Sequence, residues 1–130
     1  MRISRGREEG PAELRGPTFT GRVWADALLS QQDGVSVNLV FFEPGARTHW
    51  HRHEVAQVLH VMTGAGWVQV RDGAGAPLTA GDTVHIPAGE EHWHGGGNDT
   101  FVAHIAVSIG ETEWLDPVSD EDYASALPRR

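Results

Sequence analysis

The chain has 130 residues and a mass of 14.1 kDa, with 39% hydrophobic and 22% charged residues. That composition suits one domain with a single core and is neither disordered nor membrane-spanning, since no apolar run approaches the ~18 residues a span needs. The absence of cysteine excludes disulfides, thiol nucleophiles and thiolate-held metal. All ten basic residues are arginine, which excludes Schiff-base and lysine general-base chemistry. The net charge of −8 and pI near 5.3 argue against nucleic acid and anionic membrane as partners, because both need a basic face.

Residues 1–17 are rich in Gly, Pro and charge without apolar periodicity, and are read as an arm that flaps or adds to a sheet edge. The opening residues have no apolar stretch of the kind a secretory signal carries, so the expected location is cytoplasmic. The folded domain is expected over 18–130. Short β-like runs follow at 19–24, 35–42, 55–62, 66–71, 83–86 and 100–108, each bounded by turn residues, a spacing that predicts a sandwich or barrel. In the second run Val35, Val37, Leu39 and Phe41 share one face and Ser36, Asn38, Val40 and Phe42 the other. Both faces are partly apolar, as in a central strand between two layers. Glu43-Pro44-Gly45, Arg71-Asp72-Gly73 and Ala80-Gly81-Asp82 are turn chemistry. Acidic residues crowd the C-terminal stretch, a pattern of solvated surface. There Ser119, three residues before Asp122 and ahead of Tyr123-Ala124-Ser125-Ala126-Leu127-Pro128, predicts a capped helix of about two turns.

The histidines carry the chemistry. His49, His51 and His53 recur at every second position, and His92 and His94 repeat the step. An extended chain puts alternate side chains on one face, so His51 and His53 can aim two imidazoles at one point, with Gln57 at the same parity. His92 from a distant strand would complete a set of three nitrogens and one amide oxygen. Such a set suits Mn, Fe, Ni, Cu or Zn and leaves room for substrate or water. His60 and His85 have the wrong parity and are expected to face away.

These residues resemble a known family. Gly45, His51, His53, Gln57 and Gly64 match the first motif of the cupins in type and spacing, and Gly81, Pro87, Gly89 and His92 match the second. The resemblance implies an all-β, single-domain jelly-roll barrel, here with a short C-terminal helix. Two positions depart from the pattern. Gln57 stands where the family usually has Glu, which makes a bound metal more electrophilic, and Gly96 stands where the second motif usually ends in Asn. The strings at 42–48, 64–67 and 91–95, with Trp114 and 118–123, are similar to the small bacterial manganese cupins that include hydroxynitrile lyases.

That resemblance implies His51, His53, Gln57 and His92 as ligands of a divalent metal. Mn2+ is the first expectation, with Fe2+, Zn2+ or Ni2+ as alternatives. It further implies His104 as the acid/base group and His94 as a residue lining the site. Cyanohydrin cleavage needs a base for the hydroxyl proton and a stabiliser for the developing cyanide, and a metal with a histidine supplies both. Asn38, Val40 and Ser108 are expected to shape a small-molecule pocket, with His49 at its rim. Alternative readings are an isomerase or ketonising enzyme on a keto or sugar acid, a dioxygenase, and a non-catalytic binder. A pocket clamped by Arg47 or Arg52 would favour carboxylates, whereas a neutral aromatic one around Trp50, Trp67 or Trp93 would favour hydroxynitriles or aryl ketones. Uncovered sheet edges suggest a homo-oligomer, dimer or tetramer.

Overall fold

The computed structural model describes residues 1–8 and 12–128, so 9–11 of the arm and 129–130 lie outside the described residues. Among the described residues twelve strands, all paired antiparallel, curl into a jelly-roll barrel, with one helix at the C-terminal end. The first layer runs β1 (Glu13–Leu14), β3 (Val23–Gln32), β4 (Val35–Phe42), β11 (Val102–Ile109), the first half of β7 (Ala56–Val70), then β9 (Thr83–Pro87). The second runs β8 (Gly75–Thr79), the rest of β7, β10 (His92–Gly96), β5 (Arg47–Thr48) and β2 (Phe19–Thr20). Strand β6 (His51–His53) joins β10 on one side and β12 (Thr112–Trp114) on the other.

Strand β4 is central, between β3 and β11, and its inner face is Ser36, Asn38, Val40 and Phe42. The expected runs at 55–62 and 66–71 are one strand, β7. Gly64 and Gly66 read as breaks in sequence, yet they are places where other backbone passes close. A Cβ on Gly64, whose φ is +84°, would lie 2.1 Å from the Phe101 carbonyl oxygen, and one on Gly66 would lie 2.2 Å from that of Gly95. Glycine therefore lets β7 continue from one layer into the other. Strands β1, β5, β6, β8, β10 and β12 fall outside the six expected runs. In β10 the glycines that suggest a loop are again close approaches, with Gly95 pressed on the backbone of Ala46 and Arg47.

The arm pairs with its own chain. Glu13 and Leu14 stand opposite Ala25 and Trp24 of β3, and the Glu8 amide donates to the Ala27 carbonyl at 2.8 Å. The main core is mostly aliphatic around Phe42, with Val23, Leu59, Val61, Leu78, Ile86 and Val102 almost wholly buried. A second cluster of Trp50, Trp93, Val118, Tyr123 and Leu127 seats the helix α1 (Asp120–Ala126). Its N-cap is Ser119, whose hydroxyl accepts from the Asp122 amide at 3.0 Å, and three acids occupy the first turn, where the helix dipole favours them. Arg47 ties this helix to the barrel. Its buried guanidinium donates to the Val118 carbonyl and to Asp120, and it stacks on Tyr123.

Candidate metal centre

Strand β6 is short because the chain bends at Trp50 and again at Glu54-Val55. Within it His51 and His53 share the inner side. His92 opens β10 directly opposite His51 in the ladder, so three imidazoles converge. Their ligand nitrogens lie within 4.8 Å of one another, and all three residues are buried. Gln57 enters from β7, where its strand neighbour across β11 is Ser108.

Each ring is held from behind. The Nδ1 of His51 donates to the His49 carbonyl at 3.0 Å and that of His92 to the Glu90 carbonyl at 2.8 Å, while the Nδ1 of His53 pairs with the Thr112 hydroxyl at 3.0 Å. A carbonyl can only accept, so His51 and His92 carry their proton on Nδ1 and turn bare Nε2 atoms inward. The His53 Nε2 is buried and makes no hydrogen bond among the described residues. Burial pushes the His92 pKa down to about 4. It also lowers His53 and, helped by the neighbouring imidazoles, takes His51 well below the ordinary range. All three are thus neutral near pH 7, the form in which imidazole binds metal.

Gln57 sharpens the case. Its Nε2 donates to the Ser108 hydroxyl at 3.1 Å, which turns its Oε1 toward the bare Nε2 of His92 at 3.0 Å. Two lone pairs facing each other at that distance repel unless a cation lies between them or the amide turns over. Three inward nitrogens, the His53 one orphaned, and an amide oxygen make a donor set that fits a divalent metal ion, and the three histidines can hold one.

The cluster opens onto a cavity of about 350 Å3, lined among others by Asn38, Val40, Phe42, His51, His53, Gln57, His94, Ala106, Ser108 and Trp114. Trp114 lies over His51 with ring centroids 4.6 Å apart, and Phe19 packs against Trp114 at 5.6 Å. His94 is buried on the cavity wall with its Nε2 unpartnered, while its Nδ1 is 3.0 Å from the Nε2 of His104. Burial pushes His104 down to about 4 and, with the charge that His104 would carry, holds His94 well below the ordinary range.

The structure brings together eight of the expected site residues: His51, His53, Gln57, His92 and His94 in or beside the cluster, with Asn38, Val40 and Ser108 around it. His104 stands one step back. It keeps the face of β11 that carries Ala106 and Ser108, because the bulge in the ladder beside it puts its extra residue, Met62, on β7; its ring is wholly buried behind His94, off the cavity surface. His49 does not reach the rim. The bend at 49–50 breaks the alternation, so Thr48 and His51, three apart, both face the cavity while His49 turns away and contributes only its carbonyl. His60 and His85 are exposed, and His60 pairs with Thr83. Arg47 clamps the helix, Arg52 pairs with Glu113 and Glu91, and Trp50, Trp67 and Trp93 lie at the helix side. None of these five lines the cavity. Its aromatic surface is instead Phe19, Phe42 and Trp114, and its arginine is Arg15. Sequence reasoning missed those residues and the two threonines, Thr48 and Thr112, that hold histidines in place. Thr112 is found only through its pairing with His53.

An antiparallel jelly roll with a buried histidine cluster at the head of an internal cavity defines the class of protein. The chain belongs to the cupin family, whose domain model matches residues 38–109. It is 39% identical over 126 residues to an (R)-mandelonitrile lyase of Granulicella tundricola, an alignment that takes in 92% of this chain and 93% of that one. A cupin-like protein of Thermotoga maritima superposes with a TM-score of 0.83 at 38% identity and covers 97% of both chains. The polyketide cyclase RemF of Streptomyces resistomycificus has the same fold, with a TM-score of 0.74 at 22% identity over 98% and 95% of the two chains.

Proposed function

We propose that this protein is a metal-dependent lyase that cleaves or forms cyanohydrins, of the kind that converts mandelonitrile to benzaldehyde and cyanide. The observation that carries the reading is the buried His94 imidazole, whose Nε2 has no partner among the described residues and lies on the wall of the cavity beside the three-histidine cluster. The likeness to a mandelonitrile lyase along nearly the whole chain supports it.

His51, His53, Gln57 and His92 would hold the metal, manganese in this reading, which when bound would supply a Lewis acid to stabilise the developing negative charge. The chain's own part is proton handling. The cyanohydrin O–H proton passes to the His94 Nε2, the O–H electron pair becomes the second bond of the aldehyde carbonyl, and the C–C pair leaves on cyanide. The same proton then returns to cyanide as HCN, so no other reactant is needed. His104 holds the far side of the His94 ring and fixes its orientation. Apolar walls from Val40, Phe42 and Ala106 exclude water from the neutral imidazole.

Cyanide release from (R)- and (S)-mandelonitrile, measured on manganese-loaded and chelator-stripped protein, tests the reading. Metal-dependent, enantioselective release is expected. His94→Ala and His104→Ala should keep bound metal and lose turnover by about 100-fold or more. Bound metal without cyanide release would overturn the lyase assignment.

A further inference from the structure

The chain carries 18 acidic residues against ten basic ones, yet among the described residues no carboxylate lines the cavity and one permanent cation does. Arg15 stands on the connection between β1 and β2, where Gly16, Pro17, Thr18 and Phe19 also line the cavity mouth. The segment is held in place. The Arg15 amide donates to the Val23 carbonyl at 2.7 Å, the Phe19 amide donates to the Gly16 carbonyl at 3.1 Å, and the Phe19 ring packs on Trp114.

The other arginines near the barrel have partners. Arg22 pairs with Glu43, Arg47 with Asp120, Arg52 with Glu91 and Glu113, and Arg71 with Glu91 and Asp116. No hydrogen bond or ion pair engages the guanidinium of Arg15 among the described residues. In so acidic a protein an arginine left unpaired at the mouth of a cavity with no carboxylate among its described lining residues favours an anionic group there. A planar fork of N–H donors matches a carboxylate.

We infer that Arg15 selects substrates that carry a carboxylate at the end remote from the reacting carbon. The inference rests on the cavity as the substrate site proposed above and narrows the substrate class to carboxylate-bearing aldehydes and their cyanohydrins. Phe19 and Trp114 flank the body of such a molecule, and the reacting end lies toward His94.

The test is equilibrium binding of 4-formylbenzoate and of its neutral methyl ester, followed by calorimetry on the metal-loaded full chain and its Arg15→Gln and Arg15→Lys variants. Arg15 is exposed, so neither variant threatens the fold. The wild type should favour the carboxylate about five- to tenfold, the range for a partly solvated guanidinium–carboxylate pair. Arg15→Gln should abolish that preference and leave ester binding within about twofold, and Arg15→Lys should restore part of it. Equal binding of the two ligands by the wild type, a preference that survives Arg15→Gln, or no binding of either would each overturn the inference. Because no cyanide is involved, the outcome is separate from that of the lyase assay. A protein that releases no cyanide but prefers the carboxylate through Arg15 upholds this inference and refutes the reaction. A protein that cleaves mandelonitrile without that preference does the reverse.

Discussion

Replacing His104 by Phe should flatten the acid limb of the protein's stability curve. The ring has no exposed surface, and burial lowers its pKa from the ordinary 6.5 to about 4. Above pH 6.5 the imidazole is neutral in the folded and unfolded chains, so it contributes no pH dependence. Between 6.5 and 4 the unfolded chain takes up a proton that the folded one refuses, and stability falls with pH by about 1.4 kcal/mol per unit. Below about 4 both states are protonated and the loss levels off at about 3 kcal/mol, a large part of the 5–15 kcal/mol typical of a domain. Urea unfolding at pH 7.5, 6.5, 5.5 and 4.5, with chelator present so that acid release of metal does not enter, gives the curves to compare. His104→Phe leaves the His94 Nδ1 without its partner, a pH-independent cost of about 1–2 kcal/mol. The variant should therefore start below the wild type and overtake it by pH 4.5. Two curves that stay parallel to within about 0.5 kcal/mol would refute the argument that burial holds this ring neutral.

Thr112→Val removes the hydroxyl behind His53, and Ser108→Ala removes the one that orients Gln57. Each should weaken metal binding about 10- to 100-fold in a competitive chelator titration without unfolding the chain. Tyr123→Phe deletes a buried 2.7 Å hydrogen bond to the Gly96 carbonyl and should cost about 1–2 kcal/mol in chemical denaturation. We also propose that a second copy of the chain covers the outer face of the first layer. Val37, Leu39, Phe41, Ile105 and Val107 are only half-buried there, and Met62 and Phe101 are exposed, an apolar patch of the kind that marks interfaces. Sedimentation should give twice the 14.1 kDa of one chain, and Leu39→Arg should return it to a monomer.

The barrel was legible in sequence where side chains alternate on regular strands. Val35 to Phe42 and Val102 to Ser108 show their two faces directly, and the Ser119 cap marks the helix start. Where glycine serves close backbone approach instead of a turn, at Gly64, Gly66 and Gly95, the same residue reads as a break and the long β7 and the short β10 are obscured. The metal-type cluster was legible for the same reason as the barrel, because His51 and His53 keep their parity through three extended residues. Two features hid the rest. The bend at 49–50 turns His49 away from the cavity, and His94 from β10 covers the His104 ring, which keeps the parity of Ala106 and Ser108 on β11. Neither leaves a mark in the spacing of residue types. Thr112 reaches the site only through its pairing with His53, far away in the chain, and Arg15 only through the pairing of the arm with β3, which the Gly- and Pro-rich composition of the arm conceals.

The length of β7 has a consequence for how the molecule comes apart. Its first half pairs with β9 and β11 and its second half with β8 and β10, so one unbroken run of 15 residues is a structural member of both layers. Neither layer can peel away without stripping hydrogen bonds from the other. Amide hydrogens at both ends of that strand should therefore exchange in a single concerted opening, with the slow exchange of the whole domain, and no half-barrel should survive as a separate species. Gln57 sits in one half and the backbone opposite His92 in the other. The geometry around the three imidazoles is consequently kept or lost together with the entire barrel.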